Sequence, residues 1–347
     1  MDITVQQGDL TQTACDVLIV NLFEGVTQPG GATGAVDRAL GGWISQLIGE
    51  QDFKGKLNAI LELPTFGKIP AKRVLVVGLG KAEEFNTEKI RQVAATAIKQ
   101  AKSRKARTVA TLVHGAGIAG LPAEECAQAV AEGSLLGPYA FEKYKTPPTD
   151  EPPVAIERVL VVEHDAGKLD AVLQGVTRGR IIAEATNFTR DMSNEPPDVM
   201  TPGHLAGIAE SIAMEFGLRC EVWEEDRIAR EHMNCLMMVG RGSAHPPRFI
   251  RIEYQPEGTP TKRVCLVGKG LCYDSGGLSL KPSDAMKHMK TDMAGAAAVL
   301  GVMRAIAQLR PNVAVTGMIP TCENMIDGKA YKVDDVLRAR NGKTIEV

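Results

Sequence analysis

The stretch from Val267 to Ala298 reads VGKGLCYDSGGLSLKPSDAMKHMKTDMAGAAA, and its pattern decides how the second half of the chain folds. Val264 to Val267 (VCLV) leads into it as a short apolar, largely β-branched run with charge before it and glycine after it, the signature of a buried strand. Lys269 and Asp274 are therefore expected where the chain leaves a strand end. Asp274-Ser275-Gly276-Gly277 reads as a turn, because paired glycines accept backbone angles that other residues resist and allow close approach to a ligand. After a loop carrying Lys281-Pro282, Asp292 stands just ahead of Met293-Ala294-Gly295-Ala296-Ala297-Ala298-Val299. That is a helix start with little side-chain bulk, able to press against the turn.

These residue types suit one chemistry. Carboxylates are hard oxygen ligands for divalent cations, and a metal draws a lysine toward its neutral amine, which then has a lone pair to donate. A lysine beside two aspartates is thus a candidate ligand. A second lysine that keeps its charge can polarise a carbonyl or stabilise an oxyanion. Taken singly, each residue has a plainer reading: Asp292 as a helix N-cap, Lys269 and Lys281 as solvated loop lysines, and Met286, Met289 and Met293 as core filler at helical spacing.

Taken together they resemble a known family. Gly268-Lys269-Gly270, Tyr273-Asp274-Ser275-Gly276-Gly277, Leu280-Lys281-Pro282, Met289-Lys290 and Asp292-Met293 carry the spacing of the leucyl aminopeptidase (cytosol aminopeptidase) family of two-metal peptidases. Asn194-Glu195-Pro196-Pro197, Thr201-Pro202 and Gly240 to Arg248 extend the resemblance over most of the chain, and it is weakest before Val74. The resemblance implies that Lys269, Asp274 and Asp292 are metal ligands, with Asp274 bridging two ions. It implies that Lys281 contacts the substrate and acts in catalysis, and that Met289 lines the pocket for the N-terminal side chain. It further implies peptide substrates with a leucine-type preference, two divalent ions (Mn or Zn first, Mg or Co next), a homohexamer and a cytoplasmic location.

Family members continue with Asn-Thr-Asp-Ala-Glu-Gly-Arg-Leu, which brings another aspartate ligand, a bridging glutamate and an arginine associated with bound bicarbonate. The present sequence ends at Val347, just before that segment. Alone, it is expected to be catalytically silent and to hold at most one weakly bound metal. The alternative reading is an incompetent fragment or a non-catalytic member that serves in assembly or DNA binding. Val333-Asp334-Asp335 replaces the family's Arg-Pro-Gly-Asp, so that loop is expected to differ.

Working outward, 347 residues with 44% hydrophobic content suggest two domains, each with a sizeable core. The expected fold class is α/β throughout. Residues 1–165 read as an N-terminal α/β domain with a mixed sheet, 166–193 as a connecting helix, and 194–347 as a catalytic α/β domain, incomplete here, on a mixed, largely parallel sheet. In the first domain strands are expected at Ile3 to Val5, Val17 to Val20, Val74 to Val77, Val109 to Val113 and Val159 to Val162, and helices from Ala35, over Glu88 to Ala101 and over Ala123 to Leu136. Tyr144 to Pro153 (YKTPPTDEPP) reads as an extended surface loop. Beyond the connecting helix, Thr201-Pro202 opens a helix to about Phe216. Strands follow at Cys220 to Trp223, Phe249 to Tyr254 and Val313 to Ile319, and Asn341-Gly342 signals a hairpin.

Two glycine loops invite a nucleotide reading and fail its fingerprints. Gly78-Leu79-Gly80 follows a strand, but Glu83 occupies the place of the third glycine. Gly30-Gly31-Ala32-Thr33-Gly34 lacks the lysine and hydroxyl pair of a P-loop. Both read as tight turns. The six histidines form no HExxH spacing, and no GxSxG elbow occurs, so zincin and serine-hydrolase sites are absent from the pattern.

A net charge of −2 and a pI of 6.3 leave no electrostatic footprint for nucleic acid. Seven scattered cysteines without a CxxC pair indicate free thiols in a reducing compartment. The N-terminus carries no signal-peptide pattern, and no uninterrupted apolar run has the length of a membrane span.

Overall fold

Every residue of Val17–Phe23 is buried, and alternate side chains enter two different cores. This is why the run reads as continuously apolar rather than alternating: a parallel strand covered by helices on both faces has no solvated side. The computed structural model describes residues 1–50, 53–116, 120–146 and 154–347, and the chain divides into the units Met1–Glu184 and Ala185–Val347. Residues 147–153 of the proline-rich stretch lie outside the described residues.

In the first unit, β1 (Asp2–Gln7), β2 (Val17–Phe23), β3 (Ile60–Pro64), β4 (Arg73–Gly80), β5 (Thr108–Thr111) and β6 (Arg158–Glu163) form one sheet in the order β1-β6-β5-β2-β4-β3. Neighbours are parallel except β3 and β4, so the sheet is mixed. Helices α1 (Gly31–Ala39) and α2 (Trp43–Glu50) cover one face through Val36, Leu40, Ile44 and Ile48. Helices α3 (Thr87–Ser103) and α4 (Ala123–Leu136), with the first part of α5 (Leu169–Asn194), cover the other. Asn86 starts α3 by accepting the Lys89 N–H at 3.1 Å.

Gly31 to Gly34, expected as a loop, is instead the first turn of α1. Gly30 is extended ahead of it, and the Thr33 hydroxyl anchors the turn by donating to the Asn21 carbonyl at 2.8 Å. The short α2 and the edge strand β3 carry too little periodicity to have been picked out.

In the second unit, β7 (Arg219–Trp223), β8 (Arg248–Tyr254), β9 (Lys262–Val267), β10 (Gly270–Asp274) and β11 (Val313–Asn324) make a mixed sheet around the long β11. One side of β11 pairs antiparallel with β8. Its other side takes two parallel strands end to end, β9 along Val313 to Met318 and β10 along Thr321 to Asn324. Helix α6 (Pro202–Phe216) is capped by Thr201 and closed by left-handed Gly217. The short α7 (Glu225–Arg230) and α8 (Asn234–Gly240) belong to a satellite core at Trp223, Ile228 and Phe249. After the single turn α9 (Ser283–Met286), α10 (Ala294–Leu309) packs Ala296, Leu300 and Met303 with Leu205, Ile250, Ile252 and Ile319. Strands β12 (Val336–Arg338) and β13 (Thr344–Glu346) form the hairpin that Asn341-Gly342 signals.

The structure corrects one expectation about this unit. Val264 to Val267 is a strand but not a buried one: Val264 is 41% and Val267 71% exposed. The cause is position, since among the described residues β9 pairs only with β11 and forms an edge. Ser283–Leu309 is long and apolar enough to cross a membrane by length and composition alone. Yet it is broken into α9, a 3-10 turn and α10, and α10 buries its apolar stripe in the core.

One buried group sets a pH limit on the first unit. His114 is 1% exposed, with Nδ1 3.0 Å from Asn21 Nδ2 and Nε2 3.4 Å from Thr111 Oγ1. Burial pushes its pKa down from 6.5 to about 4. The unfolded chain therefore takes up a proton that the folded chain excludes. The stability held by neutral His114 is fully present above the unfolded value and is lost as pH falls through the folded one, amounting to about 3 kcal/mol. Urea unfolding near neutrality and near pH 4.5 should show a smaller acid loss for His114→Gln than for the parent. Equal losses would remove His114 as the cause.

Candidate active site

The site grows from the break between β9 and β10. Gly268 donates its N–H to the Met318 carbonyl at 3.0 Å, and a Cβ there would stand 2.6 Å from the Gly295 carbonyl oxygen and 2.8 Å from Ala296 Cα. Only glycine lets the break press so closely on the start of α10. The Ala296 N–H then donates to the Lys269 carbonyl at 2.9 Å, which explains the small residues at that helix end. Lys269 is consequently fixed at its backbone while its side chain points outward, 62% exposed, to Asp292 Oδ1 at 2.9 Å.

Asp292 does not cap α10. It closes a 3-10 turn over Met289–Thr291, the N-cap is Met293, and no side chain caps the helix. The carboxylate faces Lys269 instead. Asp274 ends β10, one strand later than expected, because the chain resumes pairing at Gly270 after the break. Its Oδ1 accepts the Gly276 N–H and the Asn324 amide, each at 2.9 Å, and its Oδ2 accepts Lys281 Nζ at 2.6 Å. Burial pushes this carboxyl up, but the hydrogen bonds from Lys281, Gly276 and Asn324 and the Lys281 charge outweigh it and hold the group below the usual carboxylate range.

The turn is built as its glycines require. Gly276 has φ +89° and Gly277 φ +68°, and a Cβ on Gly277 would meet Asn324 Oδ1 at 2.6 Å. It brings the Lys281 N–H back to the Ser275 carbonyl at 2.9 Å, and Lys281 Nζ lies 3.1 Å from Met289 Sδ. All five residues singled out from sequence thus fall into two linked sets: Lys269 with Asp292, and Asp274 with Lys281 and Met289. Lys269 and Asp274 line one cavity of about 880 Å³, beside Asn324 and Tyr331 and the apolar Leu236 and Leu271.

Asn324 is the residue that sequence reasoning missed. The β10–β11 register sets it opposite Asp274, 50 positions away, and no local signal announces that pairing. Its neighbour Glu323 is buried and accepts the Ser243 hydroxyl at 2.5 Å. Cys272 is fully buried, its thiol pushed up to about 12 chiefly by burial, with Sγ 3.3 Å from Thr321 Oγ1, so it packs as a neutral thiol. His288 is exposed in a left-handed backbone conformation.

The donor set fits a divalent cation. Each carboxylate already holds a cationic group, Asp274 the ammonium of Lys281 and Asp292 that of Lys269, so both oxygens face positions that favour positive charge. Among the described residues no cluster of three or more histidine, cysteine, aspartate or glutamate side chains is set to hold a metal. Lys269, beside Asp292 at 2.9 Å, is the neutral-amine candidate in this set.

The comparisons with known proteins bear on the family of the chain. The model of the cytosol aminopeptidase family, catalytic domain, matches residues 187–347, and that of the family's N-terminal domain matches residues 19–148. A probable cytosol aminopeptidase of Alkaliphilus metalliredigens is 38% identical over all 347 residues, which span 69% of its length. One from Aquifex aeolicus is 40% identical, again over the whole chain and 67% of its own. Among solved structures, the bottromycin maturation enzyme BotP in complex with Mn is 34% identical with a TM-score of 0.80, covering 96% of this chain and 65% of that one. A tomato leucine aminopeptidase mutant is 26% identical with a TM-score of 0.84, covering 100% of this chain and 67% of the other. The chain, spanning about two thirds of the length of these relatives, belongs to the cytosol aminopeptidase family, whose members are leucyl aminopeptidase-type metallo-exopeptidases.

Proposed function

We propose that this chain carries part of the catalytic centre of a metal-dependent aminopeptidase that releases N-terminal residues, with a leucine-type preference, from peptides. The observation that carries the reading is the pair of lysine–aspartate couples assembled at the break between β9 and β10. Lys269, Asp274 and Asp292 would hold divalent ions, Mn or Zn first and Mg or Co next. When bound, such ions would supply Lewis-acid polarisation of the scissile carbonyl and lower the pKa of the attacking water.

The chain's own residues divide the remaining work. With Asp274 given over to a metal, the Lys281 side chain would be free to hold the oxyanion that develops on the peptide carbonyl. Met289 puts an apolar, adaptable thioether beside that lysine, suited to a leucine-type side chain. Asn324 holds Asp274 Oδ1 and so aims the carboxylate. A homohexamer in the cytoplasm, and bicarbonate as an additional group in the complete enzyme, belong to the same proposal. The non-catalytic and DNA-binding alternatives gain no support from the site or the relatives.

Asp274 and Asp292 bring only two negative charges against the four positive charges of two ions, so ions 3.5 to 4 Å apart (about the spacing of two-metal sites) would repel strongly. Purified residues 1–347 titrated with Mn should therefore bind at most one ion, by elemental analysis, and leave leucyl-anilide uncleaved. Asp274→Asn and Asp292→Asn should each weaken that binding about tenfold or more, and Cys272→Ser should leave it unchanged. Tight binding that survives both aspartate changes would defeat the ligand assignment.

In an enzyme with the complete ligand set, Lys269→Ala and Asp274→Ala should each lower turnover about a hundredfold or more. Lys281→Ala should lower turnover with metal content near normal. Loss of metal from the Lys281 variant would make it a ligand rather than an oxyanion partner.

A further inference from the structure

The cavity of about 880 Å³ beside Lys269 and Asp274 lies toward the large end of small-ligand sites, which run from about 300 to about 1,000 Å³, and most of its lining takes no part in the proposed chemistry. Its floor follows from strand parity. Along β11, Val315 and Ile319 turn to the core shared with α10, so the alternate positions Pro320, Cys322 and Asn324 face the other way and line the cavity. Val267 and Leu271, on either side of the β9–β10 break, continue the floor, and Leu236 of α8 stands over it. Val267 is 71% exposed, an apolar side chain left in water beside a charged site.

Asp274 divides this groove from the pocket proposed for the N-terminal side chain. Lys281 stands on its Oδ2 side and carries Met289 with it, whereas Asn324 and Tyr331 stand on its Oδ1 side. The groove is lined by Asp274, Asn324 and Tyr331 and not by Lys281 or Met289. An aminopeptidase substrate has no residue ahead of its first. A second apolar space beyond the carboxylate therefore has only the following residue to receive.

Tyr331 gives that space one directed polar group. The loop ahead of it is held down at Gly242, where a Cβ would stand 2.5 Å from the Met325 carbonyl oxygen and 3.1 Å from Ala330 Cβ. Asn324 Nδ2 gives one hydrogen to Asp274 Oδ1 at 2.9 Å and lies 3.4 Å from the Tyr331 hydroxyl oxygen. An amide nitrogen only donates, so the hydroxyl accepts there and keeps its own proton to give. None of the described residues takes that proton, and the ring lines the groove. The series Asp274, Asn324, Tyr331 thus ends in a donor that suits a carbonyl oxygen. Along a peptide whose first carbonyl is at Lys281, the next carbonyl belongs to the second residue.

We infer that this groove seats the residue after the scissile bond, its large apolar side chain on Val267, Leu271 and Leu236 and its carbonyl on the Tyr331 hydroxyl. The inference rests on the peptidase reading for which end of the substrate meets Asp274. It adds a substrate class: peptides with a large apolar second residue, ahead of those with glycine there and of simple amides of leucine.

The test is isothermal titration of the full 347-residue chain with Mn present, using Leu-Phe-amide, Leu-Gly-amide and leucine phenethylamide, which keeps the ring but lacks the second carbonyl. Leu-Phe-amide should bind about tenfold or more tightly than Leu-Gly-amide, as expected for covering an aromatic side chain. Tyr331→Phe should weaken Leu-Phe-amide about fivefold, one hydrogen bond, and leave the phenethylamide unchanged. Val267→Asn, at an exposed position, should cut the preference for Leu-Phe-amide over Leu-Gly-amide to about a third with the thermal midpoint unchanged. A Tyr331 that merely props Asn324 would weaken all three ligands alike, and that result would overturn the inference. So would equal binding of the two dipeptide amides, no heat at millimolar concentration, or a dimer by sedimentation whose formation blocks the groove. Mn uptake by the same samples reads the peptidase proposal separately. Mn bound without discrimination sinks the groove alone, and discrimination kept without Mn uptake supports the groove and sinks the metal reading.

Discussion

The contact between Gly268 and the first turn of α10 is the constraint on which the candidate site depends. An edge strand that ran unbroken along β11 would carry Lys269 and Asp274 at fixed pleat positions, alternating across the sheet. The break lets the chain stop pairing at Val267, pass over Gly295 and Ala296 without side-chain bulk, and resume at Gly270. Lys269 is thereby turned to Asp292, and Asp274 arrives at a strand end with the glycine turn beyond it. Packing, not propensity, selects glycine and alanine at this crossing, and the same packing makes the charged groups meet.

Those charged groups are held differently. Asp274 has three donors around it and only part of its surface in water, so its geometry is over-determined before any ligand arrives. The Lys269–Asp292 couple rests on one side-chain bond with the lysine largely exposed, and an exposed pair of this kind adds little to stability. The first can serve as a fixed reference point, whereas the second can rearrange at small cost.

Much of this was legible in the sequence where the signal is local. The cap at Thr201 with Pro202 fixes the start of α6, the apolar spacing fixes α4, and Asn341-Gly342 marks the hairpin. The turn at Asp274 was legible for the same reason, since two adjacent glycines allow little else. What escaped is what depends on partners far along the chain. Burial of β9 could not be judged without knowing that it lies at an edge. The pairing of Asp274 with Asn324 is a matter of register between strands 50 residues apart, and the Asn21–His114 bond joins residues 93 apart. For Asp292 the plainer single-residue reading, a helix cap, is not what the structure shows: a lysine clamped nearby by its own backbone partners the carboxylate instead.

The exposed edge made by β9 bears on how this polypeptide behaves in a concentrated solution. A strand paired on one side presents a row of unused backbone donors and acceptors to any neighbour, and here Val264 and Val267 add apolar surface to it. Lys262 and Arg263 occupy its first two positions and are also exposed, so like charges meet when two such edges approach in parallel register. Ionic strength then becomes a colloidal variable. Salt that screens these two cations weakens their repulsion and lowers one barrier to edge-to-edge self-association.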